Sequence, residues 1–307
     1  MRQTTVAQLY EDNRDKLRLT YIAGNLEAAL SVSEERIWPA DLIGHLNLIH
    51  PTRLQIVGEA ELAWARRQPQ SKIARYLEGI LLTKPPAIII ADGCEIAAII
   101  RNICEQVDIA LLSTPHPAAS VIDQLRLYLS RRLAEVTTLH GVFMDVFSLG
   151  TLITGDSGTG KSELALELIT RGHGLVADDV VEFSRVAPSV LEGASPPMLR
   201  NFMEVRGLGI LNIRTIFGET ACRRKMRLRL VCQLERRQPG QDDPSRLPMQ
   251  QEFQEILGVK VPKVILPVAA GRNLAVLVEA AARSTILKLR GIDTTQEFID
   301  RQGNLLC

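Results

Sequence analysis

The chain has 307 residues, 46% hydrophobic and 23% charged, a globular composition long enough for two domains. Its 36 Lys and Arg stand against 35 Asp and Glu, so nothing in the net charge of +1 asks for nucleic acid or an anionic membrane as partner. The five cysteines, Cys94, Cys104, Cys222, Cys232 and Cys307, form no CxxC pair, which argues against a zinc site or a disulfide framework.

The opening "MRQTTVAQLYEDNRDK" is too polar for a signal peptide. "RLQIVGEAELAWARR" reads as a short strand, a glycine turn and a helix. "PPAIIIADG" reads as a buried strand, "CEIAAIIRNICEQ" as a helix and "DIALLS" as another strand. Such alternation predicts a small parallel α/β layer. The longest apolar run, "AIIIADGCEIAAII", is broken by Asp92, Gly93 and Glu95, so no membrane span is expected, and the scattered cysteines make a reducing cytoplasm the default location. "TPHPAAS", Thr114 to Ser120, is the candidate linker. "VIDQLRLYLSRRLAEVTTLH" after it reads as one amphipathic helix, with Val121, Leu125, Leu129 and Leu133 in a row, bridging to a second domain.

Downstream, "VFMDVFSLGTLITG" predicts strand, turn and strand. "KMRLRLVCQL" predicts a half-buried strand with Met226, Leu228, Leu230, Cys232 and Leu234 on one face and Arg227, Arg229 and Gln233 on a solvated one. "RQPGQDDPSRLPMQQ" is a polar loop. "NLAVLVEAAARSTILKLRG" reads as a closing helix stopped at Gly291. The expected domains are 1–132 and 133–307.

Three stretches carry chemistry. The first, Gly155, Asp156, Ser157, Gly158, Thr159, Gly160, Lys161 and Ser162, matches G-x-x-x-x-G-K-[ST]. Such a loop wraps phosphates with backbone N–H groups, its lysine reaches the β- and γ-phosphates, and its hydroxyl ligates magnesium. The flanks fit: "TLITG" is β-prone, and "SELALELITRG" has Leu164, Ala165, Leu168 and Ile169 at helical spacing, an i,i+4 pair of Glu167 and Arg171, and Gly172 as a stop. The second is "ADDVV". Asp178 and Asp179 could hold a hydrated metal and accept a hydroxyl proton, provided the chain bends, because neighbours in a strand point to opposite faces. The third runs through Met203, Glu204, Val205, Arg206, Gly207, Leu208, Gly209, Ile210, Leu211 and Asn212, where two glycines follow a charged pair.

Together with "HG" at His140 and "PVAAGRNLAVLVEAAA", these motifs resemble the bacterial HPr kinase/phosphorylase family over most of residues 140–290. The resemblance implies an α/β protein: a small N-terminal α/β domain, then a P-loop kinase domain like the nucleotide-binding core of phosphoenolpyruvate carboxykinase. It implies a cytoplasmic hexamer. That enzyme phosphorylates a serine of the phosphocarrier HPr with ATP or pyrophosphate and Mg2+, and removes the phosphate by phosphorolysis. Carried over by motif, Lys161 serves the phosphates, Asp179 is the base, and Ser162, Asp178 and Glu204 are metal ligands. His140 and Arg246, in "PSRLP", join the active site. Pro267, Val268, Ala269, Ala270, Gly271 and Arg272 form the dephosphorylation segment, with Ala269 and Ala270 standing where the family has arginine and proline. That departure predicts a phosphorylase weak beside the kinase. A small-molecule P-loop or carboxykinase-like kinase is the alternative.

Overall fold

The computed structural model describes residues 3–32, 38–46, 52–236, 252–269 and 271–305. Arg246 and Ala270 therefore lie outside the described residues. The chain divides into two compact units, Met1–Glu135 and Val136–Cys307.

In chain order the first unit contains β1 (Gln3–Thr5), α1 (Val6–Leu17), β2 (Thr20–Ala23), β3 (Ala29–Ser31), β4 (Ile43–His45), β5 (Leu54–Val57), α2 (Glu59–Arg66), α3 (Gln70–Leu82), β6 (Ala87–Ile90), α4 (Ala98–Val107), β7 (Ala110–Ser113) and α5 (Ala118–Arg132). Its five-stranded sheet has the order β2-β7-β6-β5-β4, with β4 to β7 parallel and β2 antiparallel at the edge. The fully buried run Ala87–Ile90 makes β6 a strand covered on both faces. One face packs under α1 and α5, the other under α4. Asp92, at the end of β6, accepts the Glu59 and Ala118 N–H groups at 2.8 Å, so one carboxylate caps both α2 and α5.

Two expectations fail here. "TPHPAAS" is no linker: it enters α5 inside the first unit, where the Thr114 hydroxyl donates to the Leu17 carbonyl at 2.5 Å. The long bridging helix also breaks. It ends at Arg132, its row Val121, Leu125 and Leu129 lies in the first unit's core, and residues 135–140 form a strand. Val136, Thr137 and Thr138 are β-branched and fit a strand better than a helical turn.

The second unit holds β8 (Glu135–His140), β9 (Val142–Val146), β10 (Leu149–Gly155), α6 (Lys161–Thr170), β11 (Gly174–Ala177), β12 (Val180–Ala187), β13 (Val190–Ala194), β14 (Phe202–Val205), β15 (Gly209–Asn212), α7 (Ile213–Phe217), β16 (Lys225–Arg236), β17 (Glu252–Ile256), β18 (Val259–Val268), α8 (Leu274–Leu289) and α9 (Thr294–Leu305). So α8 does not close the chain; α9 follows it. A nine-stranded sheet runs β11-β9-β10-β16-β13-β12-β8, with β18 beside β16 and β17 beside β18. Strands β10, β16 and β18 are parallel. Strand β9 is antiparallel to both β10 and β11, so β11 runs with that parallel set.

Strand β16 departs from simple alternation. Gly150 pairs with Leu228 but Thr151 with Leu230, which leaves Arg229 as an extra residue in a bulge. The slip flips the faces: Leu228 packs with Phe143 and Phe183, whereas Leu230, Cys232 and Leu234 pack with α6 and α8. Val231 is buried on the Phe143 side, so the strand is central and covered on both faces, not half-buried. The four described cysteines, Cys94, Cys104, Cys222 and Cys232, are free thiols. Among the described residues no helix is long and apolar enough to cross a membrane.

The expected Glu167–Arg171 pair is not made. Arg171 instead forms a bidentate contact with Glu279 of α8, at 2.9 and 2.5 Å, and His173 Nε2 lies 3.0 Å from the same carboxylate. Packing of α8 on α6 offers Arg171 a better-shielded partner than a neighbour on its own helix. Glu167 accepts from Asn273 at 3.1 Å. Arg171 foremost, then His173, hold the Glu279 carboxyl down at about 2, against an ordinary 4.5. A depressed carboxylate contributes stability above its unfolded pKa and loses it as pH falls to the folded one. Glu279→Gln is therefore expected to lower the urea midpoint at pH 7, with the gap to the unaltered protein shrinking as pH drops from about 4.5 towards 2. A gap unchanged across that window would remove the ion pair as its cause.

Candidate active site

The P-loop is built from close packing. At Gly155, where β10 ends, φ is 145° and an added Cβ would lie 2.6 Å from the Leu234 carbonyl of β16, so no larger residue fits. The loop then turns over Asp156 to Gly160. Thr159 is buried and its hydroxyl donates to the Asp156 carbonyl at 2.8 Å. Gly160, with φ 86°, opens α6 and leaves the first-turn N–H groups facing outward at the helix start. Lys161 Nζ donates to the Gly155 and Asp156 carbonyls, at 2.9 and 3.0 Å. Ser157 and Gly158 are exposed at the tip.

Asp178 follows β11 and is buried, 5% exposed. One carboxylate oxygen accepts the Ser162 hydroxyl at 3.3 Å; the other accepts the Glu204 N–H at 2.9 Å. Burial pushes its pKa up, and those two hydrogen bonds oppose the shift. Asp179 is different. It sits at φ 62°, the bend that an extended strand lacked, and its side chain is 79% exposed. Its carboxylate lies 3.9 Å from His140 Nδ1, and its carbonyl accepts the Gly141 N–H at 3.0 Å. The two aspartates are thus neighbours with opposite surroundings.

The glycine signature is a hairpin. Strands β14 and β15 pair Met203 with Leu211, Glu204 with Ile210 and Val205 with Gly209, and the Leu208 N–H closes the turn on the Val205 carbonyl at 3.0 Å. Gly207 and Gly209 have φ 85° and 84°, and open space surrounds both. Met203 and Val205 anchor the hairpin in the core with α6, while Glu204 is exposed. Arg206 Nη1 comes to 3.8 Å from where a Gly158 Cβ would stand.

Arg236 was missed in the sequence reading. It is the last residue of β16, two positions past Leu234, which pairs with Gly155, and its Nη2 donates to the Gly158 carbonyl. No periodicity marks it; only its place at a strand end beside a P-loop does. Across the sheet Arg236 pairs with Val268, so Pro267 and Val268 flank it. Beyond them Ala269 is exposed, the Arg272 N–H bonds its carbonyl at 3.2 Å, and Asn273 caps α8 through the Val276 N–H at 3.0 Å.

Strand direction gathers these parts. The carboxyl ends of β10, β11, β16 and β18 lie on one edge, where open α/β sheets bind ligands. On that edge stand the P-loop, Asp178 and Asp179, Arg236, and the segment starting at Pro267. His140 and Gly141 enter β9 from the same edge. Among the described residues no three His, Cys, Asp or Glu side chains are grouped as a self-sufficient metal cage. A hydroxyl beside a buried carboxylate fits a hard cation that keeps water and takes its other ligands from phosphate.

Two family models match the chain: one described as HPr Serine kinase N terminus over residues 4–129, the other as HPr Serine kinase C-terminal domain over residues 131–302. The HPr kinase/phosphorylase of Azoarcus sp. (strain BH72) is 72% identical, covering 100% of this chain and 98% of that protein. The HPr kinase/phosphorylase of Bordetella petrii is 56% identical over 97% of each. Among solved structures, the Hpr(Ser) kinase/phosphatase from Coxiella burnetii aligns with a TM-score of 0.46 and 33% identity, covering 50% of this chain and 99% of that one.

Proposed function

Because the chain belongs to the HPr kinase/phosphorylase family, we propose that the edge carrying the P-loop, Asp178 and Asp179 is its phosphoryl-transfer site. The protein is an enzyme that phosphorylates a serine of HPr and dephosphorylates phosphoserine-HPr. The observation that carries the site assignment is the 3.3 Å contact of Ser162 with buried Asp178, beside an exposed Asp179.

In this reading the donor is ATP or pyrophosphate. The loop N–H groups and the start of α6 bind its phosphates. Lys161 leaves the two loop carbonyls for the β- and γ-phosphates, exchanging neutral acceptors for charged ones. Ser162 and Asp178 would hold a magnesium ion, with Glu204 close by, and the ion would supply positive charge to offset the charge developing on the transferring phosphate. Asp179 accepts the proton of the HPr serine hydroxyl. In reverse it returns that proton to the leaving serine oxygen, as microscopic reversibility requires. His140, with Nδ1 3.9 Å from the Asp179 carboxylate, stands beside that base as the family resemblance implies. Arg246 serves as a further catalytic arginine on the strength of the family resemblance. The hexameric assembly, the cytoplasmic location and a carboxykinase-like nucleotide core rest on the same resemblance.

The test is transfer of labelled phosphate from ATP to purified HPr, run beside a metabolite panel. HPr is expected to take the label, and HPr with its target serine changed to alanine is not. Label on a metabolite and none on HPr would favour the small-molecule kinase. ATP binding with no turnover on any acceptor would make the protein a nucleotide-binding regulator.

A further inference from the structure

Ala269 leaves the dephosphorylation segment without the arginine that the family resemblance places there, yet the neighbouring strand, paired with the residue before Ala269, brings another guanidinium to the tip of the P-loop. Arg236 pairs across the sheet with Val268, the residue before Ala269. Its Nη2 rests on the Gly158 carbonyl at the loop tip, and Arg206 Nη1 approaches the same glycine from the signature hairpin. Among the described residues no carboxylate is in ion-pair contact with Arg236 or Arg206. Arg236 is thus held as Lys161 is, on a neutral loop carbonyl that a phosphate oxygen can replace at a gain.

We propose that Arg236 binds the inorganic phosphate that enters for phosphorolysis, in place of the side chain absent at Ala269. The inference rests on the phosphoryl-transfer reading above. In that step an oxygen of inorganic phosphate attacks the phosphoserine phosphorus. The bond from phosphorus to the serine oxygen breaks, and that oxygen takes the Asp179 proton, so pyrophosphate and free serine leave. Phosphoserine already carries about −1.5 to −2 charges, so the incoming phosphate meets strong repulsion. A guanidinium stays charged and grips two oxygens at once, which suits it to hold that anion in line. Arg236 lies on the P-loop side of Ala269, where the pyrophosphate product must form.

The experiment is a phosphate titration of phosphoserine-HPr dephosphorylation with the full-length enzyme. Arg236→Gln is expected to raise KM for inorganic phosphate by about 10-fold or more, by loss of one charge-assisted bidentate contact. Arg236→Lys should recover only part of it. Ala269→Arg should restore most of that loss when added to Arg236→Gln, because neighbouring groups that share one partner are non-additive. A brace for the Gly158 carbonyl alone would raise KM for ATP, pyrophosphate and phosphate by one common factor, with no rescue by Ala269→Arg. That outcome overturns the proposal, and so does an unchanged KM for phosphate. Wild-type kinase activity on HPr separates the failures: if it is present, only the role of Arg236 falls; if it is absent, the phosphoryl-transfer reading falls and takes this inference with it.

Discussion

Lys161→Ala is expected to abolish both directions of the reaction. The lysine serves whichever donor the loop holds, ATP or pyrophosphate, and in reverse the pyrophosphate being formed. Removing one preorganised cation from a transferring phosphoryl group costs about 3 kcal/mol or more in transition-state stabilisation, a loss of about 10²–10³-fold in kcat. The fold should hardly notice. Lys161 makes two hydrogen bonds to the Gly155 and Asp156 carbonyls, and alanine is a strong helix former at the first residue of α6. Thermal unfolding should therefore match the unaltered protein while kinase and phosphorolysis rates collapse together. Near-normal turnover in either direction would remove the P-loop from the mechanism.

How much of this was legible in the sequence depended on whether a residue's role is local. The P-loop was legible because pattern, strand and helix all lie within one short stretch, and the structure has β10, loop and α6 in that order. The alternating strands and helices of the first unit were legible for the same reason. What failed was set by distant neighbours. Arg171 could not announce its partner Glu279, because helix packing brings them together. The slip at Arg229 arises where β10 and β16 meet, so the apolar spacing of β16 alone put Leu228 on the wrong face. Helix α5 was over-extended because Leu133 keeps the helical row for one more step, while the β-branched residues after it end the helix. Arg236 was invisible because its only distinction is a position opposite Gly158 and beside Val268. The aspartates show the mixed case. Their adjacency predicted the need for a bend, but which of them is buried follows from the contacts of Ser162 and Glu204 with Asp178.

That asymmetry decides the second large effect. Asp179→Asn is expected to leave nucleotide binding intact while serine phosphorylation and its reversal both fall by about 10²–10⁴-fold, the range for loss of a general base. Asparagine tolerates the φ of 62° at this position, so the bend should survive the change. Asp178 cannot easily take over. It is 5% exposed, with one oxygen on the Ser162 hydroxyl and the other on the Glu204 N–H, so a serine on another protein has no path to it. Asp179, with its side chain 79% exposed, is open to such a serine. Single-turnover transfer to HPr at saturating magnesium makes the separation. Asp179→Asn should stay slow however much metal is added. Asp178→Asn should instead need more magnesium and be partly restored by it, because removing a ligand weakens affinity without removing the base. If the two variants behaved the other way round, with Asp179→Asn restored by metal and Asp178→Asn slow at saturation, the proton would pass through Asp178. The exposed aspartate would then be a metal ligand.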